Sequence, residues 1–192
     1  MLKPTNDPLE LLRRRQADEA KSTREALGAS GTQPFQAVRK LKQQIEELTQ
    51  FVNAIPQIVS GQANVSGWSV DTPPEAGDWT TVASVVLRRP EGRSRAVVQG
   101  IVNASAVQDT SEFGNFAMKG RIVIAGAASP NADGSLEPAA STTRSTLSLS
   151  HIRDFTTTAS TVQVDIQIRG RYSNYPASNA ASLSVQASFT QI

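Results

Sequence analysis

The chain has 192 residues, of which 39% are hydrophobic, so it is long enough for a folded domain of more than a hundred residues and an extension. The absence of cysteine excludes a disulfide framework and thiolate chemistry. No stretch approaches the roughly 18 consecutive apolar residues of a membrane span, and the first residues lack the apolar core of a signal peptide, so we expect neither a membrane partner nor an export signal.

The formal net charge is +2, and the excess of basic residues lies in the first third of the chain. Residues 1–61 hold nine Lys or Arg and seven Asp or Glu, whereas residues 62–192 hold ten of each class. The one dense basic run is Arg13, Arg14 and Arg15, and such a run is more typical of a solvated helix face than of a phosphate site. The charge distribution therefore predicts no nucleic-acid partner.

The first predicted element is a helix over residues 7–27. A capping aspartate, a proline at the first helical position and a glycine after the last turn mark its ends. Its apolar residues form a thin stripe, so the helix would be marginal alone and would order against another surface. We predict that residues 1–33 are an anchoring segment with a flexible break. The candidate anchor residues are Leu9, Leu12, Arg13, Arg14 and Arg15.

The second predicted element is a helix over residues 34–55 that contains VRKLKQQIEELTQFVNAI and ends before Pro56. Its apolar residues alternate at spacings of three and four, which is typical of the a and d positions of a coiled coil. We therefore predict a short coiled coil over residues 34–56. The predicted oligomerisation residues are Val38, Leu41, Ile45, Leu48, Val52 and Ile55.

The partner of this helix has more than one interpretation. β-Branched residues at a with leucine at d are typical of a dimer, but Ala37 and Phe51 at g widen the apolar face and favour a homotrimer. The other interpretation is an ordinary amphipathic helix that packs on its own domain.

Residues 57–192 are predicted to form an antiparallel, jelly-roll-like β-sandwich. STVQVDIQIRGR and ASLSVQASFTQI alternate apolar and polar residues, as half-buried antiparallel strands do. Five earlier strand candidates are QANVSGWSV, TTVASVVLRR, SRAVVQGIVNASAV, MKGRIVIAG and STTRSTLSLSHI. A turn at residues 90–92 predicts a hairpin between the second and third of these, and QIVSGQANVSG after Pro56 is interpreted as a connector. The predicted fold class is mainly β with N-terminal helices.

Residues that support catalysis are scarce. His151 is the one histidine and falls in phase with the apolar residues of its strand, which favours a packing or interface role over a general base. The loop SPNADGSLEPAA lacks the first and last acidic ligands of a calcium loop, and no phosphate-binding glycine motif occurs. We predict no enzymatic activity, no metal and no cofactor.

Three aromatic residues fall in predicted loops, where a rigid sandwich could present them to a sugar face or a protein partner. These candidate receptor-contact residues are Trp79, Tyr172 and Tyr175. The alternative is that Trp79 closes one end of the core and that the tyrosines pack the last loop.

The layout of residues 35–192 resembles the small minor tail proteins of long-tailed phages of actinobacteria. The resemblance is found in the heptad stretch VRKLKQQIEELTQFVNAI, in TTVASVVLRRPEGRSRAVVQGIVNAS, in the strand STLSLSHIRDF and in the final SFTQI. None of these is a catalytic motif.

The resemblance implies a structural virion protein in which three sandwiches are held on a short stalk. Residues 1–30 would then dock into a larger tail assembly, and several weak surface contacts held together would act as one strong contact. A lectin-like module that binds a host-surface glycan, and a fibre on the capsid or head, are the alternatives. A stalk this short also leaves a purely structural role open.

Overall fold

The computed structural model describes residues 8–27, 34–73, 77–109 and 117–191, and within the helices it describes the side chains of residues 12–25 and 36–54. The chain divides into two compact units, residues 1–54 and residues 55–192. The predicted anchoring segment and the predicted coiled-coil helix therefore belong to one unit, and the β-rich region forms the other.

The first unit contains two helices, α1 (Pro8–Leu27) and α2 (Pro34–Ala54). Both start at a proline, which suits the first helical position because its fixed φ is helical and its missing N–H would have no partner there. Helix α2 stops two residues before Pro56, since proline disfavours helical geometry in the residue before it. Both helices match the predicted ranges to within a residue, while the predicted caps Asp7 and Gly28 lie outside the described residues.

The second unit contains the strands, and all the pairs between them are antiparallel. In chain order they are β1 (Gln57–Ser66), β2 (Asp71–Thr72), β3 (Thr80–Arg88), β4 (Arg95–Asp109), β5 (Lys119–Ile124), β6 (Ala127–Ala128), β7 (Ala132–Asp133), β8 (Ser135–Pro138), β9 (Thr142–Thr156), β10 (Thr161–Arg171) and β11 (Ala180–Thr190). A short 3-10 helix, Pro176–Ser178, precedes β11.

These strands form two sheets. The five-stranded sheet has the order β1-β11-β4-β9-β8. The second sheet has the order β2-β10-β5-β6, with β3 also paired to β10 and β7 to β5. The predicted fold class, an antiparallel sandwich preceded by helices, is confirmed.

The core lies between the inner faces of the two sheets. Alternation places every second residue of the long strands in it, as on β10, where Val162, Val164, Ile166 and Ile168 are all buried. Other large core side chains with essentially no exposure are Met118, Ile122, Ile124, Tyr172, Leu183 and Phe189.

The predicted hairpin between β3 and β4 is wrong. The turn itself forms, with the Arg93 amide donating to the Pro90 carbonyl at 3.3 Å, but β3 pairs with β10 and β4 pairs with β9 and β11. The turn is a corner that carries the chain from one sheet to the other. Both strands bury an apolar face, and the alternation that marks this face does not say which strand lies alongside.

The predicted connector after Pro56 is also wrong, because strand β1 begins at Gln57. It pairs with β11 over its whole length, from Gln57 opposite Phe189 to Ser66 opposite Ala180. Its inward positions are small or β-branched, and at Gly61 an added Cβ would lie 2.6 Å from Val85 Cγ1. Glycine thus permits the close approach of β1 to β3, whereas in the sequence it looks like a loop residue.

Asn179 joins three segments from a buried position just before β11. Its Nδ2 donates to the carbonyl oxygens of Trp68 and Tyr172, both at 2.8 Å, and its Oδ1 accepts from the Val107 amide at 3.0 Å. These bonds satisfy backbone groups that would otherwise be costly to bury.

Candidate interaction surfaces

Five of the six predicted oligomerisation residues lie on one face of α2: Val38, Leu41, Ile45, Leu48 and Val52. Together with Ile55, which belongs to the second unit, we call them the α2 seam. All six are exposed, and Ile55 lies just beyond the end of α2. A helix normally turns such a stripe toward a partner, because exposed apolar area is unfavourable in water. The coiled coil itself stays a prediction.

Helices α1 and α2 run antiparallel within their unit. Lys40, near the start of α2, donates to Ser22 Oγ near the end of α1 at 2.6 Å. Leu12 in α1 and Phe51 in α2 line one cavity of about 260 Å³ between the opposite ends of the helices. The surface against which α1 orders, left unspecified by the sequence, is thus α2 in the same chain.

Helix α1 divides the α2 seam into two parts. The a positions Val38 and Ile45 are each 62% exposed, whereas the d position Leu48, which lines the cavity with α1, is 37% exposed. Phe51 at g also lines that cavity, although it was counted as widening the face for a third chain. Part of the apolar face is therefore used within one chain, and the a positions stay exposed.

The candidate anchor residues lie on α1. Leu12 is half-buried in the hairpin, while Arg13, Arg14 and Arg15 are exposed. Arg15 Nε lies 3.6 Å from Glu19 Oε1 one turn later. The side chain of Leu9 lies outside the described residues. Arg13 and Arg14 are therefore exposed on α1, while Arg15 also lines the cavity between α1 and α2.

Tyr172 is a core residue and drops out of the candidate receptor-contact residues. It is completely buried and packs edge to face on Trp68, with ring centroids 6.2 Å apart. Burial raises the pKa of Tyr172 to about 12, and a hydrogen bond to Ser145 opposes this shift. The ring also covers Gly170, whose φ of 153° suits glycine and where an added Cβ would lie 2.2 Å from Tyr172 Cε2.

Trp79 is half-buried at the start of β3, and its ring is engaged by two cations. The guanidinium carbons of Arg121 and Arg169 lie 4.4 and 4.7 Å from the ring centroid. Arg121 Nε also donates to Gln167 Oε1 at 2.8 Å. The pKa of Arg121 is lowered by burial and then by the charge of Arg169. A sugar that stacked on this ring would have to displace these side chains.

Tyr175 is the one candidate contact residue with a clearly exposed ring, at 38%. It precedes the 3-10 helix, and its carbonyl accepts from the Ser178 amide at 2.9 Å. With Tyr172 in the core and Trp79 under two arginines, the structure does not bring the three aromatic residues together as one stacking surface.

The outer face of the five-stranded sheet carries an open depression that sequence reasoning missed. Its volume is about 550 Å³, and its lining is short and uncharged. The row Asn64, Ser182, Asn103 and Ser148 crosses four neighbouring strands in register, and Ser148 Oγ donates to Asn103 Oδ1 at 2.7 Å. The period-2 alternation places these residues on one face, but strand order is needed to see them as a row.

Two described residues, His151 and Asp133, bear on the hypotheses of catalysis and calcium binding. His151 is half-buried opposite Gly100, in phase with Leu147 and Leu149 as predicted. Asp133, from the loop compared with a calcium site, lies 3.7 Å from Lys119 Nζ. In the part of the chain that the structure describes, no three His, Asp or Glu residues are grouped to hold a metal ion, and neither helix is both long and apolar enough to cross a membrane.

Comparisons with known proteins identify no family for this chain. No family model matches the chain, and no curated protein matches it significantly. Among solved structures, the chain is similar to an insecticidal delta-endotoxin from Bacillus thuringiensis at 13% identity and a TM-score of 0.32. The match covers 59% of this chain and 18% of the toxin chain, so this chain spans a small part of the toxin's length. A likeness at this TM-score supports no inference on function.

Proposed function

We propose that this protein is a structural virion component, a homotrimer of the phage tail tip or tail fibre. Helix α2 joins the copies, the N-terminal segment attaches them to other tail proteins, and the sandwiches are displayed to the outside. The resemblance of the sequence to small minor tail proteins supports the virion setting. The observation that carries the self-association is the exposed α2 seam.

The magnitude of the seam's apolar surface supports association. Complete burial of a Val, Leu or Ile side chain is worth about 1.5–3 kcal/mol, so six half-exposed side chains could supply roughly 5–9 kcal/mol per chain. The entropic cost of association is of similar size, about 4–15 kcal/mol. Because these terms nearly balance, a polar change in the seam should shift the equilibrium strongly.

The position of α1 supports its role as an attachment helix. It presents three exposed arginines, and the contacts of its described side chains with α2 include the Lys40–Ser22 hydrogen bond and a partly open, mainly apolar cavity. Such a helix can exchange its partner at modest cost when a larger assembly offers a better surface. Deletion of residues 1–30 should therefore abolish incorporation into particles.

Light scattering after size exclusion tests the self-association. The full chain is compared with a double variant of the seam, Ile45→Asp and Leu48→Asp, and with a control in which Gln43→Asp and Gln50→Asp place the same charges on the exposed polar side of α2. We expect a threefold mass for the full chain and the control, and a single-chain mass for the seam variant.

The other outcomes are equally informative. A twofold mass for the full chain would replace the trimer by a dimer. A single-chain mass for all three proteins would contradict the proposal, because the α2 seam would then have no partner copy. Circular dichroism of the seam variant shows whether it retains its strands.

A further inference from the structure

The sandwich has two sides along which the edges of its sheets lie. We call the side formed by β1 and β3 the β1/β3 side. These two strands belong to different sheets but lie close, as the 2.6 Å approach of a Gly61 Cβ to Val85 shows. The opposite side is formed by β8 and the end of β9 in one sheet and by β6 and β7 in the other.

The opposite side carries the usual protection against pairing with a foreign strand. Its edge strands β6 and β7 have two residues each, and β8 ends at Pro138. Arg153 on β9 donates to the carbonyl oxygens of Ile124 and Ala125 and so closes the gap between the sheets. Short strands, proline and charged side chains are the devices that keep sheet edges from joining.

Along β1 and β3 themselves these devices are missing, although the same edge of the second sheet continues into β2, a two-residue strand that contains Asp71 and precedes Pro73. Strand β1 has ten residues and no charged side chain, and among the described strands it pairs with β11 alone. Strand β3 has nine residues, and its one charged residue is the last, Arg88. Neither strand contains proline. Ile58 on β1 is 66% exposed and Val86 on β3 is 60% exposed. A long, uncharged edge of this kind is suited to pairing with another strand.

We propose that the β1/β3 side is the contact between sandwiches of neighbouring copies, with β1 of one copy against β3 of the next. This proposal rests on the proposed function and names the surface that the trimer uses outside the helix. A contact between two different strands is heterologous, and such a contact closes into a ring when the rotation between copies permits.

Chain connectivity identifies a second copy as the occupant. Only Ile55 and Pro56 lie between the end of α2 and the start of β1, so at most about 11 Å of chain separates Ala54 from Gln57. Copies joined through α2 must therefore bring the beginnings of their β1 strands close to the common axis. The unprotected edge thus starts at the proposed point of association.

Hydrogen exchange of the full chain tests this contact directly. The amides of residues 57–66 that do not bond to β11 should exchange quickly at an open edge and slowly under a neighbouring strand. We expect slower exchange in the oligomer than in the Ile45→Asp, Leu48→Asp variant. Equal exchange in an intact oligomer would overturn this proposal and leave the α2 seam standing. A full chain that is a monomer would overturn both.

A pair of matched substitutions gives a second test. Val86→Lys places a charge on the β1/β3 side, and Ile152→Lys places it on the opposite side at a residue of almost equal exposure, 59% against 60%. We expect Val86→Lys to raise the dissociation concentration of the oligomer about tenfold and Ile152→Lys to leave it within about twofold. Equal effects would contradict the proposal. If Val86→Lys fails to fold, Ile58→Lys replaces it under the same criterion.

Discussion

The helical unit and the sandwich differ in what they do with large apolar side chains. Phe51 on α2 is 41% exposed, whereas Phe189 on β11 has no exposure. The sandwich closes two sheets over one core that it buries by itself, and its exposed large apolar residues, such as Ile58 and Val86, lie outside this core. The hairpin of α1 and α2 covers only one flank of its apolar stripe. From this difference we predict that the sandwich is stable by itself and that the helical unit needs another surface to cover its apolar stripe.

The test with the largest expected effect removes one phenylalanine ring from each region. Phe189→Ala should lower the free energy of unfolding of the sandwich by about 3–5 kcal/mol, because the lost contacts leave a cavity in a closed core. Phe51→Ala should leave sandwich unfolding unchanged and loosen the packing of α1 on α2, with a smaller effect on association than the Ile45→Asp, Leu48→Asp variant has. Denaturant unfolding followed by circular dichroism, together with light scattering, measures both. Equal losses of sandwich stability would contradict the division into two units.

A second prediction compares two glycine substitutions in the sandwich, one beside a buried ring and one at an open position. Gly170→Ala should cost about 2–5 kcal/mol, because alanine is strained at a φ of 153° and its Cβ would meet the buried Tyr172 ring. Gly77→Ala is the control, since an added Cβ there has no neighbour within 4 Å among the described residues. Thermal denaturation of the two variants measures the difference. Similar melting temperatures would mean that Tyr172 moves aside freely.

Alkaline pH provides a smaller perturbation. The pKa of Tyr172 is raised from 10.0 to about 12, so between these values the unfolded chain loses the phenolic proton while the folded chain keeps it. The stabilisation is therefore complete below pH 10 and falls by about 2–3 kcal/mol as the pH approaches 12. Tyr172→Phe should flatten this fall, measured by urea unfolding from pH 9 to 11.5. Tyr175→Phe, at an exposed position, should not.

The sequence predicted which face of each strand is buried better than it predicted which strands pair with one another. The alternation on β10 and β11 identified their buried residues, and the heptad spacing located the α2 seam. The partners of β3 and β4 could not be read in this way, because a period of two marks the face of a strand and is silent on which strand lies beside it. A turn that joins two sheets looks the same in sequence as a turn that closes a hairpin.

The candidate contact residues show the same limit. Tyr172 and Tyr175 lie three residues apart in one polar stretch, yet the first is in the core and the second at the surface. Two residues account for the burial of Tyr172 in the structure. The missing Cβ of Gly170 leaves room for the Tyr172 ring, and the Asn179 side chain donates to the Tyr172 carbonyl. Both are long-range or conformational effects that composition and spacing do not encode.

The place of β11 has a consequence for the order in which the chain folds. It lies between β1 and β4, so the five-stranded sheet stays split until residues 180–190 have left the ribosome. Helix α2 needs only local contacts and is synthesised more than a hundred residues earlier. If copies associate through α2 as proposed, nascent chains on one messenger RNA carrying several ribosomes could meet through their helices while their sandwiches are still unformed, and association would precede folding of the sandwiches.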